Sequence, residues 1–281
     1  MRQHRIRESR SINLTPNYII LFIVLIFAGG PLLILCFNAL KNSADFGRNP
    51  LGFPSTLNWS NFSDAWVKGN FSVTLPNTLI LVTGTVVGTM ILSSMAAYSI
   101  AKLKLPGSDA LTMYFLVVSS LPLQLFLVPL FYLWRKLGLV NNLFGLIIIY
   151  TATGCAFAIF LLRSYMVQIP SDFEDAARVD GANEWQAFTK VVIPLSWPAF
   201  LTTGLVTGLN VWNEFMLATV FLTQPKLYTV VTSYYNFSTA YGRNWGLTSA
   251  AAVMMVIPIL VLFLLLQRQF ISGLTQGGLK G

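Results

Sequence analysis

The chain has 281 residues, of which 55% are hydrophobic, 14% aromatic and only 10% charged, with a net charge of +8. A soluble domain carries roughly 25% charged residues, so this composition excludes a water-solvated globule and indicates a protein embedded largely in lipid. Two cysteines and a single histidine, His4, argue against a disulfide framework or a protein-built metal site.

A helix needs about 20 apolar residues to cross a hydrocarbon core about 30 Å thick. Six windows satisfy this, at 18–40, 72–101, 110–134, 137–162, 195–222 and 245–267. The predicted fold is therefore all-α, a polytopic membrane protein with six transmembrane helices. Residues 1–17 form an amino-terminal tail. The first window is long enough to span and lacks the small-residue cleavage pattern of a signal peptide, so it is read as a permanent helix. An external loop is expected at 41–71, a core of five helices at 73–268 and a second tail at 269–281. Cys36 and Cys155 fall inside spans, where small buried hydrophobes are expected.

Six spans put both ends on one side, and the placement of Lys and Arg suggests which. Eleven of the eighteen cations (Arg2, Arg5, Arg7, Arg10, Lys102, Lys104, Arg163, Arg178, Lys190, Arg268, Lys280) fall on the side of the two ends. The other seven (Lys41, Arg48, Lys68, Arg135, Lys136, Lys226, Arg243) fall opposite. Both termini are thus expected in the cytoplasm. Scattered among helix ends, the cations suit topology and anionic headgroups, and no nucleic-acid-binding face is formed.

There is no G-x-x-x-x-G-K-[ST], so the chain supplies no P-loop for ATP. It has no G-x-S-x-G elbow, and its acids outside one loop are dispersed, so catalysis by this chain is not expected.

That loop, 171–194, is the most charged stretch. Pro170 should end the fourth span, and Ser171 with Glu174 fits a capping box opening a helix that holds Glu174, Asp175, Ala176 and Ala177. Asp180 and Gly181 should break it, with Gly181 left-handed. Asn183 and Gln186 offer a second cap, after which Trp185, Phe188, Val191 and Val192 give one apolar face until Pro194 ends the helix. On pattern alone, an interfacial connector explains this helix, turn, helix as well as a docking element does.

The stretch "EDAARVDGANEWQAFTKVVIPLSWPA" closely resembles the EAA loop of the permease subunits of ATP-binding cassette (ABC) importers. "AAYSIAKLKLPG", "SSLPLQLFLVPLFYLWRKLGLVNN" and the tail "RQFISGLTQGGLKG" extend the resemblance to the carbohydrate-type, maltose-permease-like branch over nearly the whole chain. The resemblance implies the type I importer permease fold and a coupling helix that docks on the ATPase subunit. By it, Asp175 takes the place of the family's glutamate, Ala176 and Ala177 form the alanine pair, Asp180, Gly181 and Ala182 the central turn, and Pro194 the closing proline. Aspartate for glutamate leaves open whether Glu174 or Asp175 meets the ATPase.

Further implications are a second permease subunit, two ATPase subunits and an external sugar-binding protein, with ATP and Mg bound by the ATPases and no cofactor in this chain. Residues 273–281 are expected to reach the ATPases and 223–244 the binding protein. The implied site is a bacterial or archaeal inner membrane, and the implied role is half of a sugar pathway worked by alternating access.

Within the spans, Glu214 is an acid in an apolar window, at a cost of about 2.5 to 3.5 kcal/mol at mid-depth. It is either functional or reaches the interface. Gln124, Asn210 and Asn213 serve interhelical packing or line a pathway. Pro122, Pro129 and Pro258 are expected to bend or interrupt their helices. The rival readings are an ion-gradient-driven transporter, which needs an internal repeat or broken helices at an ion site, a membrane-embedded enzyme, and an ABC permease for a non-sugar solute.

Overall fold

A computed structural model describes the backbone of residues 15–103 and 105–278, and side chains through Leu265 together with Gln267. His4, the four arginines of the amino-terminal tail, Lys104 and Lys280 lie outside the described residues. So do the Arg268 side chain and those of the expected ATPase-reaching segment 273–281. The described secondary structure is entirely helical.

The chain divides into two units. The first takes residues up to Ala65 together with Tyr241–Val253. Helix α1 (Thr15–Ala39) is apolar on every side and exposes Ile19 to Phe27, as a lipid-facing span does. The segment expected as a plain external loop is structured. It contains α2 (Ser43–Arg48), capped by the Asn42 side chain, which accepts from the Asp45 N–H at 2.8 Å. It also contains α3 (Ser60–Lys68). The amide of Asn61 donates to the carbonyls of Ala39 and Lys41 at 2.9 and 2.8 Å. The fully buried ammonium of Lys41 donates to Asn38 Oδ1 at 3.0 Å and the Asn49 carbonyl at 2.7 Å. These bonds satisfy polar groups that burial would otherwise leave costly.

The second unit, Trp66–Ala240 with Met254–Gly281, is organised around α4 (Phe71–Lys102) and α7 (Leu143–Met166), its most extensive helix pair. Gly84 and Gly88, four residues apart on α4, face α7: a Cβ at Gly84 would lie 2.6 Å from Ile147 Cδ1, and one at Gly88 2.9 Å from Thr151 Oγ1. Small residues at this spacing let two membrane helices approach closely, where dispersion replaces the hydrophobic drive absent in lipid.

The third apolar window is not one continuous helix. Helix α5 (Ser108–Ser119) stops before Pro122, a 3-10 turn follows at Leu123–Phe126, and α6 (Leu127–Lys136) leaves at 81° to α5. Proline lacks the N–H and disfavours a helical residue before it, so Pro122 breaks the span as its position suggested. Pro129 does not bend α6, because in a first turn its missing N–H has no partner to lose. Pro258 sits inside an uninterrupted α14 (Trp245–Gly278).

The fourth window begins six residues before its helix. Gly138 and Asn141 adopt positive φ, and Asn142 caps α7 by accepting from Phe144 N–H at 2.8 Å. Helix α7 ends at Met166, ahead of Pro170. Past the charged loop, α11 (Trp197–Asn213) stops at Glu214 and Phe215, after which α12 (Met216–Phe221) resumes, followed by α13 (Val230–Tyr241). The fifth window is thus two helices rather than one.

Among the described residues, four helices (Thr15–Ala39, Phe71–Lys102, Leu143–Met166 and the Trp245–Leu265 part of α14) are long and apolar enough to cross a membrane alone. Counting each of two bent pairs as one span gives six. One pair is α5 with Leu123–Lys136, and the other is Glu184–Leu195 with α11, bent by 77°.

Candidate functional site

The charged loop folds into two short helices, and three helix ends hold it. Helix α8 (Asp172–Val179) opens without the expected capping box. Ser171 has helical φ and ψ and makes no side-chain cap bond, because Glu174 turns inward instead. There Glu174 Oε1 lies 2.8 Å from Lys102 Nζ, the last residue of α4, with side-chain exposures of 2% and 7%. The same ammonium donates to the Ile169 carbonyl at 2.6 Å. Burying a charge is costly unless it is paired, and this ion pair fixes the start of the loop to the end of a span.

Gly181 follows at φ +88°, the left-handed conformation expected of it, with Asp180 as the C-cap of α8. The Ala182 N–H then donates to the Ala177 carbonyl at 2.9 Å. Asn183 and Gln186 form the expected reciprocal capping box, at 2.9 and 3.0 Å, and open α9 (Glu184–Ala187). Pro194 does not end this helix. A π-helical turn, Phe188–Val192, carries the rod into α10 (Ile193–Leu195), and the break comes at Ser196. The wider turn accommodates a proline ring that would clash with the carbonyl four residues earlier.

Arg178 ties the two helices together. Its Nε donates to Glu184 Oε1 at 2.8 Å, NH2 to Glu184 Oε2 at 3.1 Å and NH1 to Asp175 Oδ1 at 2.7 Å. The bond to Glu184, and after it that to Asp175, raises the guanidinium above its ordinary value. Reciprocally, the Arg178 bond holds the Glu184 carboxyl below the usual glutamate range. Tyr98 of α4 also donates to Glu184, at 3.0 Å, and its ring packs on Phe188 with centroids 4.9 Å apart. Phe188 and Val192 are buried in one apolar cluster with Ala97, Leu162, Met166 and Ala199, drawn from α4, α7 and α11.

The inner face of the loop is consumed by these contacts, and the outer face is left uncovered. Phe173 is 51% exposed, Val179 88% and Trp185 59%, with Asp175 and Ala176 exposed among them. Trp185, expected on the same apolar face as Phe188, packs its ring on Phe188 with centroids 5.6 Å apart while its other side stays exposed. Of the two candidate acids, Glu174 anchors the loop from within and Asp175 lies on the free surface.

The polar residues of the spans separate. Glu214 is not in mid-helix. It closes α11, and its carboxylate accepts from the N–H groups of Leu217 at 2.8 Å and Ala218 at 3.0 Å, and from Tyr150 Oη at 2.6 Å. Glu214, Asn210 and Tyr150 line one cavity of about 210 Å³. Asn213 is exposed and returns its amide to the Leu209 carbonyl. Gln124 is exposed on the 3-10 turn, outside that cavity. Sequence reading missed Lys102 and Tyr98 as the loop's anchors, because nothing local to either marks a partner about seventy to ninety residues ahead. It also missed the G-x-x-x-G of Gly84 and Gly88, which stands in the sequence as a legible signal.

Residues 89–276 match the family model described as the binding-protein-dependent transport system inner membrane component. The chain belongs to this family. It is 34% identical over 98% of its length to the probable ABC transporter permease protein YurM of Bacillus subtilis (strain 168), covering 91% of that protein. It is 30% identical to the diacetylchitobiose uptake system permease protein DasC of Streptomyces coelicolor, over 94% of this chain and 95% of that one. The fold matches the crystal structure of a bacterial ABC transporter involved in the import of the acidic polysaccharide alginate. That match has a TM-score of 0.77 and 26% identity, over 96% of this chain and all of that one. The protein is therefore a multi-pass permease subunit of an ABC importer, a transport component with the importer permease fold. The rival readings as a gradient-driven transporter or an enzyme are set aside with it.

Proposed function

We propose that this permease forms half of a sugar pathway with a second six-span subunit, and that loop 171–194 couples it to a separate ATPase. The observation carrying the reading is the two-sidedness of the loop. One side is bonded to the ends of α4 and α7 through Glu174, Tyr98 and Phe188, and the other presents Phe173, Asp175, Ala176 and Val179 to solvent. An exposed apolar patch rimmed by charge marks a protein contact. A rigid attachment behind it passes a partner's motion into the spans. Two ATPase subunits would carry ATP and Mg, leaving this chain without a cofactor, and an external binding protein would deliver the cargo.

Sugar is supported as cargo by relatives named for diacetylchitobiose, arabinooligosaccharide and trehalose transport. Lys102, Arg163, Arg178 and Lys190 gather on the loop's side, which supports a cytoplasmic position for the loop and both termini in a bacterial or archaeal cell. In the working cycle, ATP-driven closure draws the loop inward and the spans turn outward to receive sugar; hydrolysis resets them.

The test is to capture the tagged chain from its own membranes in mild detergent and identify its companions by mass spectrometry. Recovery of a P-loop ATPase and a second six-span subunit is expected, whereas recovery of the chain alone after gentle cross-linking refutes the coupling role.

A further inference from the structure

Two hollows against α4 are left over by the coupling role, and one exposed row of side chains joins them. The first, of about 190 Å³, lies at the loop's end of α4, where Met95, Tyr98 and Ser99 line it together with Glu184, Trp185 and Phe188. The second, of about 460 Å³, lies between α4 and α11 and is lined by Val86, Val87 and Met90 from one and Phe200 and Gly204 from the other. Its lining is apolar except for Thr83 and the indole of Trp197. Residues four apart on a helix are neighbours on its surface, and Thr83, Val87, Ile91, Met95 and Ser99 form one such row, exposed from Thr83 to Met95. The row starts in the second hollow and ends in the first. Val87 and Met95 are about 12 Å apart along the axis, within the roughly 15 Å of hydrocarbon that one leaflet provides.

The two ends differ chemically, as the two ends of a phospholipid do. The second hollow offers almost nothing to hydrogen-bond, and a helix about 10–12 Å across would fill it with roughly one turn, whereas a single acyl tail fits along it. In the first, the rings of Tyr98 and Trp185 both pack on Phe188, with centroids 4.9 and 5.6 Å away, beside the Glu184 carboxylate. Three donors reach that carboxylate, two from Arg178 and one from Tyr98, of about four that it can accept. Aromatic faces attract a cation, and the five acids and two bases of residues 171–194 disfavour an anionic headgroup. Tryptophan, with an apolar body and a polar N–H, settles at headgroup level, and Trp185 stands exposed beside Met95 of the span.

We infer that this row is a site for one phospholipid with a primary ammonium headgroup, of the phosphatidylethanolamine type. The ammonium donates to Glu184 and lies against the rings of Trp185 and Tyr98, and one tail follows Met95, Ile91 and Val87 into the hollow between α4 and α11. A choline headgroup carries the same charge but has no N–H to fill the remaining acceptor position of Glu184. Bound there, the lipid bridges α4 and the rod that begins at Glu184, so membrane composition bears on how firmly the loop is held. The site stands or falls separately from the cargo and from the ATPase partner.

The test uses the complex captured from its own membranes, reconstituted in phosphatidylglycerol vesicles that contain a phosphatidylethanolamine carrying a diazirine on one tail. After illumination, the labelled peptides are mapped by mass spectrometry. Label should concentrate on residues 83–95 and 197–204. Replacing part of the vesicle lipid by unlabelled phosphatidylethanolamine should displace it, and the same amount of phosphatidylcholine should displace it several-fold less well. Trp185→Ala should reduce the label about threefold to tenfold, the worth of one cation–π contact. Ser99→Trp fills the first hollow and leaves the loop's own bonds in place, since the Ser99 hydroxyl donates only to the Met95 carbonyl. It should reduce the label likewise, and it decides the matter if Trp185→Ala loosens the loop. Wild-type labelling in Ser99→Trp overturns the site. Equal displacement by phosphatidylcholine overturns the recognition of a primary ammonium. Label spread evenly over α1, α4 and α5 means annular lipid only and overturns the site. Absence of label from 83–95, whether the second subunit or phosphatidylglycerol occupies the row, overturns it too.

Discussion

Replacing Lys102 by Met removes the cation that faces Glu174 at 2.8 Å while keeping most of the side chain's volume. Breaking a buried ion pair from one side costs about 3–5 kcal/mol, because the remaining charge stays desolvated. Arg178 NH2 lies 3.9 Å from the other Glu174 oxygen, so a second cation already attends the carboxylate and the cost belongs at the low end, about 3 kcal/mol. The loss falls on the docking of the loop, since the pair joins loop to span. At 1.4 kcal/mol per tenfold, the undocked population rises about a hundredfold. Hydrogen exchange of the amides at 172–195, followed by mass spectrometry in nanodiscs, reads this directly, with ATP-driven uptake measured in parallel. Exchange should accelerate by that factor and uptake should fall. The double variant Lys102→Met with Glu174→Gln, which leaves no buried charge, should restore most of the protection. Unchanged exchange in the single variant would refute the anchor.

Gly181→Ala should cost about 1–2 kcal/mol, because φ +88° is disfavoured for a residue with a Cβ; no atom lies within 4 Å to clash. Gly181→Val, with its branched Cβ, should abolish uptake while the subunit still inserts, and wild-type uptake in that variant would count against coupling. Gly88→Val should lower the melting temperature of the purified complex through overpacking of about 1–3 kcal/mol against Thr151, and an unchanged melting curve would mean α4 and α7 have room to part. The depressed carboxyl of Glu184 contributes stability that is present above the ordinary glutamate value of about 4.3 and lost as pH falls through its lower folded value. Loop protection, corrected for intrinsic exchange, should therefore hold from pH 8 to 5. It should decline only below about 4.3, by less than about 1 kcal/mol since the pair is at the surface.

The sequence made the loop's own hydrogen bonds legible where they are local. Gly181 and the Asn183–Gln186 box act within four residues of themselves, and spacing alone foretold them. It failed for Glu174 because a serine three residues earlier offered a local partner, and Lys102, far off in the chain, offered a better one. Hydropathy found the apolar windows at 110–134 and 195–222 but not the breaks inside them. A window average is insensitive to one missing N–H at Pro122, and equally to a carboxylate at Glu214 that caps the next helix rather than interrupting the previous one. The cavity was visible only as separate polar residues, two of which, Asn210 and Glu214, converge in it while Gln124 and Asn213 do not.

The corner at Ser196 acts as a crank. Its N–H is shared between the Val192 and Ile193 carbonyls and its carbonyl accepts from Ala199 and Phe200, so the 77° angle is braced on both sides and resists opening. The arm Glu184–Leu195 is 12 residues long and α11 is 17, or about 18 and 26 Å at 1.5 Å per residue. Each degree of rotation about the corner therefore moves the tip at Glu184 by about 0.3 Å and the far end of α11, beside Glu214, by about 0.45 Å. A small push on the short arm becomes a larger sideways swing at the far end of α11, where the cavity lies.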